Sequence, residues 1–175
     1  MNRPAAYAVL FAASVLLQVF LFDNLGLSIY ATPMVYTAFI MLLPMNTSAG
    51  RMLFLGLLLG IAVDFLSGTA GLNTVSTLPA AFLRRGLLGL VAGREARAEG
   101  GIPWVRTLGR KKYLTYASVM LLVQCGIYFS FEAGGFAHYY LTLARTVCSA
   151  AVSLPLVWLI SGMFVTRAYS AAADD

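Results

Sequence analysis

A chain of 175 residues that is 60% hydrophobic and only 11% charged is not an ordinary water-soluble domain, since such domains carry about 25% charged residues. Its mean hydropathy is +0.81, and in water a fold of this make-up would expose a large apolar surface and aggregate, so lipid is the matching solvent. The net charge of +5 resides in basic residues that lie mostly between apolar segments, which points to membrane topology and away from nucleic acid.

A spanning helix needs roughly 20 apolar residues, because the hydrocarbon core is about 30 Å thick and each residue rises about 1.5 Å. Six such segments with short loops use up the chain. The expected fold is an all-α integral membrane protein with six transmembrane helices in a single transmembrane domain, residues 1–175. The first helix covers about residues 5–22; bulky Leu21, Phe22 and Asp23 follow it in place of a small-residue cleavage site, so it is read as retained. A turn at Asp23 and Asn24 leads to a second helix at about 28–44, with Pro33 near its start and Pro44 near its end. The third runs over about 52–67 and stops at Gly68.

The fourth helix, about 73–92, opens after Gly71 with Asn73 or Thr74 as the cap, and carries Pro79 and the pair Arg84-Arg85. Arginine at the membrane centre costs several kcal/mol, so this pair is expected to snorkel to the inner surface along a short or tilted helix; a re-entrant segment is the alternative. Residues 93–112 form the one long polar loop, with Arg94, Arg97, Arg106, Arg110, Lys111 and Lys112 beside Glu95, Glu99 and Trp104. It can touch anionic headgroups, but an ordinary basic cytoplasmic loop accounts for it. The fifth helix is about 113–131, Glu132 begins the next turn, and the sixth is about 138–165.

Cytoplasmic loops are enriched in Lys and Arg. Six spans with both termini inside place every one of the 12 basic residues on or towards that side except Arg145, which lies within the sixth helix. Five spans, or the inverted orientation, would put Arg167 or the long basic loop outside. Tyr113 and Tyr116 are expected near the inner surface, and Tyr139 and Tyr140 near the outer one.

Gly56, Gly60, Asp64 and Gly68 recur every four residues, so they share one face of the third helix: a stripe of small residues bearing one carboxylate. The plain reading is a close helix–helix contact through Gly56, Gly60 and Gly68. The sharper reading makes Asp64 part of an intramembrane polar or partner site. Asp64 and Arg145 fall at compatible depths, which suggests an Asp64–Arg145 ion pair or a polar site shared with Asn73 or Glu132; the alternative is that Arg145 simply snorkels outwards. Cys125 and Cys148 read as buried packing residues. The single histidine, His138, excludes an HExxH zinc site, and there is no GxSxG and no phosphate-binding glycine loop. No metal, no cofactor and no enzymatic activity are expected.

The order of motifs resembles the rod shape-determining MreD family, in its Bacteroidetes-type form. The resemblance rests on Leu21-Phe22-Asp23-Asn24-Leu25, Ala31-Thr32-Pro33-Met34-Val35-Tyr36 and Leu42-Leu43-Pro44-Met45-Asn46-Thr47. It continues through Gly56, Gly60, Ile61-Ala62-Val63-Asp64-Phe65-Leu66-Ser67, Gly71, Ala81-Phe82-Leu83-Arg84 and Arg106-Thr107-Leu108-Gly109, and covers nearly the full chain. Arg85 departs from it, standing where related chains often have proline. The resemblance implies a non-catalytic subunit of the elongasome in the bacterial cytoplasmic (inner) membrane, supporting rod shape and lateral peptidoglycan synthesis. It implies MreC as direct partner, with MreB, RodA and its transpeptidase as complex members. The family is also similar in fold to the substrate-binding S components of energy-coupling-factor transporters, so a vitamin-binding transporter subunit is the alternative.

Overall fold

The computed structural model describes residues 3–22, 32–93, 100–134 and 139–173, and among them there is helix and no strand. Helix α1 (Arg3–Leu16) runs on into a π-helical stretch, Leu17–Phe22. Then follow α2 (Thr37–Leu42), α3 (Ala49–Ser67), α4 (Leu72–Val91), α5 (Val105–Leu108), α6 (Arg110–Glu132) and α7 (Tyr139–Ala173). Three stretches, Ala49–Ser67, Arg110–Glu132 and Tyr139–Thr166, are long and apolar enough to cross a membrane, and Ala5–Phe20 is a shorter apolar helix. Helix α4 has 20 residues, but Asn73, Thr74, Ser76, Thr77 and its two arginines make it less apolar.

The long helices form an antiparallel row. Gly56 of α3 lies against Ala81 of α4, and Gly60 against Thr74. Arg84 of α4 meets Tyr116 of α6, while Ser76 and Thr77 meet Gln124 about two turns away. Glu132 and Tyr113 of α6 pair with Arg145 and Trp158 of α7. At the end of the bundle where α6 begins, Trp104 stacks among Tyr113 and Trp158 and rests on Gly162 of α7.

Of the glycine stripe, Gly56 and Gly60 serve the α3–α4 contact, whereas a Cβ added at Gly68 meets nothing within 4 Å. A Cβ on Gly60 would fall 2.5 Å from the Thr74 Cα, a backbone atom that can move only with its helix. Gly56 is less tight, its added Cβ lying 3.0 Å from Ala81 Cβ. Gly68 ends α3 in the left-handed region at φ 67°, where a side chain is strained. Gly60→Ala is therefore expected to lower stability by about 1–3 kcal/mol through overpacking. Gly56→Ala is expected to cost less; thermal unfolding in detergent reads both, and equal melting of the two variants would contradict the close approach.

The second predicted helix is where the fold departs most from expectation. In place of a helix over 28–44, the described residues give only the six of α2, about 9 Å long, with 32–35 non-helical before it. Pro33 has no N–H to give a helix and disfavours helix at Thr32 before it. This segment is the most buried among the described residues: Val35, Tyr36, Ala38, Met41 and Leu42 expose nothing. In lipid an unwound backbone persists only where protein satisfies it. Here the Gln18 amide does so like a neighbouring peptide, donating to Pro33 O (3.0 Å) and accepting from the N–H of Val35 (2.8 Å) and Tyr36. Ser149 and Ser153 of α7 accept from the N–H of Thr32 (3.0 Å) and Met34 (2.8 Å). The π-helical stretch of the first segment is what carries Gln18 to this position.

The first, third, fourth and fifth expected segments appear with shifts of up to three residues at their ends, the sixth runs on to Ala173, eight residues past its expected end, and the long loop contains the unexpected turn α5. Asp23, Asn24, Arg94, Glu95, Arg97, Glu99 and His138 lie outside the described residues. Tyr113 and Tyr116 are fully buried between helices instead of facing the membrane surface, whereas Tyr139 and Tyr140 are exposed. Cys125 is buried as expected, but Cys148 is exposed on α7.

Candidate functional site

Asp64 does not pair with Arg145. It lies in the last turn of α3, and Gly68 and Gly71, both at positive φ, turn the chain so that α4 starts directly over its carboxylate. Oδ1 accepts from Thr69 Oγ1 (2.6 Å), Asn73 N (2.9 Å) and Asn73 Nδ2 (3.1 Å). Oδ2 accepts from Thr74 N (2.8 Å) and Thr74 Oγ1 (2.6 Å). The side chain that caps α4 therefore comes from the preceding helix; Asn73 and Thr74, expected as caps, are donors to it. A negative charge at a helix N-terminus satisfies the orphan N–H groups and complements the helix dipole. Two carboxylate oxygens offer about four lone pairs. Five donors already fill them.

Asn73 belongs to the site as expected, and a chain of buried polar groups continues from it. Tyr36 Oη donates to Asn73 Oδ1 (2.9 Å), and Gln124 Nε2 donates to Tyr36 Oη (2.7 Å) and Thr77 Oγ1 (3.1 Å). Ser76 and Thr77 hydroxyls turn back onto Asn73 O (3.0 and 2.6 Å). Every bond in the path Gln124, Tyr36, Asn73, Asp64 points its hydrogen towards the carboxylate, so each bond polarises the next. The path ties α6, the unwound segment, α4 and α3 together through the bundle interior.

A second centre was not foreseen. Arg84, expected to snorkel, exposes nothing. Its Nε donates to Tyr116 Oη (3.0 Å), Nη1 approaches Met52 Sδ (3.5 Å), and Nη2 donates to Met41 O (3.3 Å) and to Leu43 O. Tyr116 Oη in turn donates to Met41 O (3.1 Å). The guanidinium thus closes the C-terminal end of α2, where unpaired carbonyls and the negative end of the helix dipole suit a cation. Arg85, one residue round the helix, is exposed as expected of a snorkelling residue. Spacing held a clue to this split: Asn73, Thr77, Ala80, Arg84 and Leu88 recur every three or four residues and are all buried, so Arg84 falls on the inward face.

Arg145 instead meets the other expected site residue, Glu132, in a two-point pair (Nη1–Oε2 2.8 Å, Nη2–Oε1 3.3 Å), with the Phe129 ring centroid 4.6 Å from the guanidinium carbon. Both side chains are about one-third exposed, at 29% and 34%. The four candidate residues thus divide into Asp64 with Asn73 and Arg145 with Glu132. Glu132→Gln is expected to cost no more than about 1 kcal/mol, as partly exposed pairs do. The charge swap Glu132→Arg with Arg145→Glu should recover most of that in a detergent melt; a swap no better than either single change would show that the pair is incidental.

Among the described residues no three His, Cys, Asp or Glu side chains cluster as metal ligands would. What the arrangement does is hold interrupted backbone in place: Asp64 starts α4, Arg84 ends α2, and Gln18 supports the unwound segment that precedes α2. No family model matches the chain, and neither a curated protein nor a solved structure matches it.

Proposed function

We propose that this chain is a non-catalytic membrane subunit of the bacterial elongation machinery, an MreD-like scaffold that binds MreC and supports lateral peptidoglycan synthesis with MreB, RodA and its transpeptidase. In this reading it crosses the cytoplasmic membrane six times with both termini inside, the first helix and the unwound segment with α2 completing the set begun by the long helices. The basic residues support that orientation, since Arg51, Arg106, Arg110, Lys111 and Lys112 cluster at the ends of α3 and α6 that begin on one side.

One observation carries the reading. The residues behind the family resemblance serve architecture: Pro33 unwinds a segment, Tyr36 joins the polar chain, Gly56 and Gly60 bring two helices together, and Asp64 and Arg84 secure helix ends. Side chains whose lone pairs and protons are spent on one another suit a subunit that presents a fixed outer surface to partners. The test is complementation: expressed in a rod-shaped bacterium depleted of its own MreD, the chain should restore rods. Round cells despite normal membrane levels of the protein would count against the assignment.

A further inference from the structure

Residues 100–109, which include the short α5, cross the end of the bundle where α6 begins and are tied to it at few points. The Met45 N–H donates to Gly101 O (2.9 Å), and Pro103 and Leu108 are buried. The Trp104 ring lies against those of Tyr113 and Trp158, with centroids 4.7 and 5.5 Å away. It also rests on Gly162, where an added Cβ would come within 3.5 Å of it. Of the three rings, only that of Trp104 stands outside the long helices. Glycine occurs at both ends of the segment: Gly101 at φ 90°, and Gly109 at φ 81° and ψ 157°, a backbone region that side chains all but exclude.

Beneath this ring the packing is polar. Tyr113 Oη and Ser161 Oγ are neighbours, both residues expose nothing, and neither oxygen reaches hydrogen-bond geometry with any partner. An unpaired buried hydroxyl disfavours the state that buries it, because water would bond to it. Trp158 and Gly162, which the Trp104 ring touches, also border an open hollow of about 450 Å³ with Leu159, Met163 and Thr166. The ring is therefore packed at the margin of open space.

We propose that residues 102–108 form a strap with Trp104 as its latch, which lifts on Gly101 and Gly109 and admits water to Tyr113 and Ser161. Ring contacts hold the closed form and the two unpaired hydroxyls oppose it, so the strap opens as a local unit while the long helices stay folded. Opening carries exposed Arg106 with it, away from exposed Arg110, Lys111 and Lys112 on α6, and so changes the basic surface at this end of the bundle.

Fluorescence of the full chain in detergent tests this. The chain has two tryptophans, so Trp158→Phe leaves Trp104 as the sole emitter and keeps a ring beside it. In that background, Tyr113→Phe with Ser161→Ala removes the unpaired hydroxyls and should lower acrylamide quenching of Trp104 by about twofold or more, since each such hydroxyl disfavours closure by more than the thermal energy. Gly162→Leu drives a side chain into the seat of the ring and should raise quenching by about twofold, with helical circular dichroism retained. Quenching that is unchanged or higher once the hydroxyls are gone overturns the proposal. So does a Gly162→Leu protein that loses its helical signal or leaves quenching unchanged, because Trp104 would then be a fixed part of the core.

Discussion

Replacing Arg84 with alanine is expected to cost about 3 kcal/mol or more, enough to lose most of the folded protein from a total stability of order 5–15 kcal/mol. The change removes a fully buried side chain, leaves Leu43 O unpaired at the end of α2 and leaves Met41 O with the Tyr116 hydroxyl alone. An unsatisfied buried carbonyl costs about 1–3 kcal/mol, and the vacated volume adds a cavity term. Arg84→Lys keeps the charge but replaces a planar fork with a single ammonium, which cannot reach Tyr116 Oη and both carbonyls at once. It should fall between alanine and the wild type. Tyr116→Phe removes only the hydroxyl bridging Arg84 Nε and Met41 O, so its cost is expected near 1–2 kcal/mol. Thermal unfolding in detergent, followed by loss of the monodisperse peak, should rank the three in that order. If Arg84→Ala unfolds at the wild-type temperature, the arginine does not hold α2.

The second large effect belongs to Asp64. Single helix caps are worth about 0.5–2 kcal/mol. Here one carboxylate accepts five hydrogen bonds in the bundle interior, so Asp64→Ala is expected to cost about 2–4 kcal/mol, with hydrogen bonds to a charged group at the upper end of the usual range. Asp64→Asn should be nearly as harmful, because its amide must turn two donors towards a ring of donors. Hydrogen exchange adds a local reading: amides of residues 72–76 should exchange faster in both variants, while those of α7 keep their protection. Uniform loss of protection along the chain would contradict a role confined to the start of α4.

Most of the helical frame was legible in the sequence, because apolar length and the placement of bases are direct consequences of the bilayer. The small-residue spacing of α3 likewise led to a real close contact with α4. Two things were not legible, for one physical reason. Inside a membrane a polar side chain can be satisfied by backbone as well as by an opposite charge, and composition shows only the charges. Asp64 and Arg145 looked like partners because they are opposite ions at similar depth, yet Asp64 is matched by N–H and O–H donors, and Arg145 by the nearer Glu132. Arg84 looked costly enough to need the membrane surface, yet it is matched by the carbonyls at the end of a helix far shorter than the apolar stretch that contains it. Pro33 was the visible sign that the second segment would unwind. Gln18, a glutamine inside an apolar stretch, was the visible sign that something unwound there needed a donor and an acceptor.

The proposed scaffold role predicts that the chain binds MreC without consuming anything. Co-purification of the full chain with full-length MreC, solubilised together from membranes and passed over a size-exclusion column, measures that most directly. The expected result is one peak containing both proteins at fixed stoichiometry. Separate elution of the two chains would contradict the account, as would recovery of this chain with a bound vitamin and an energising ATPase module.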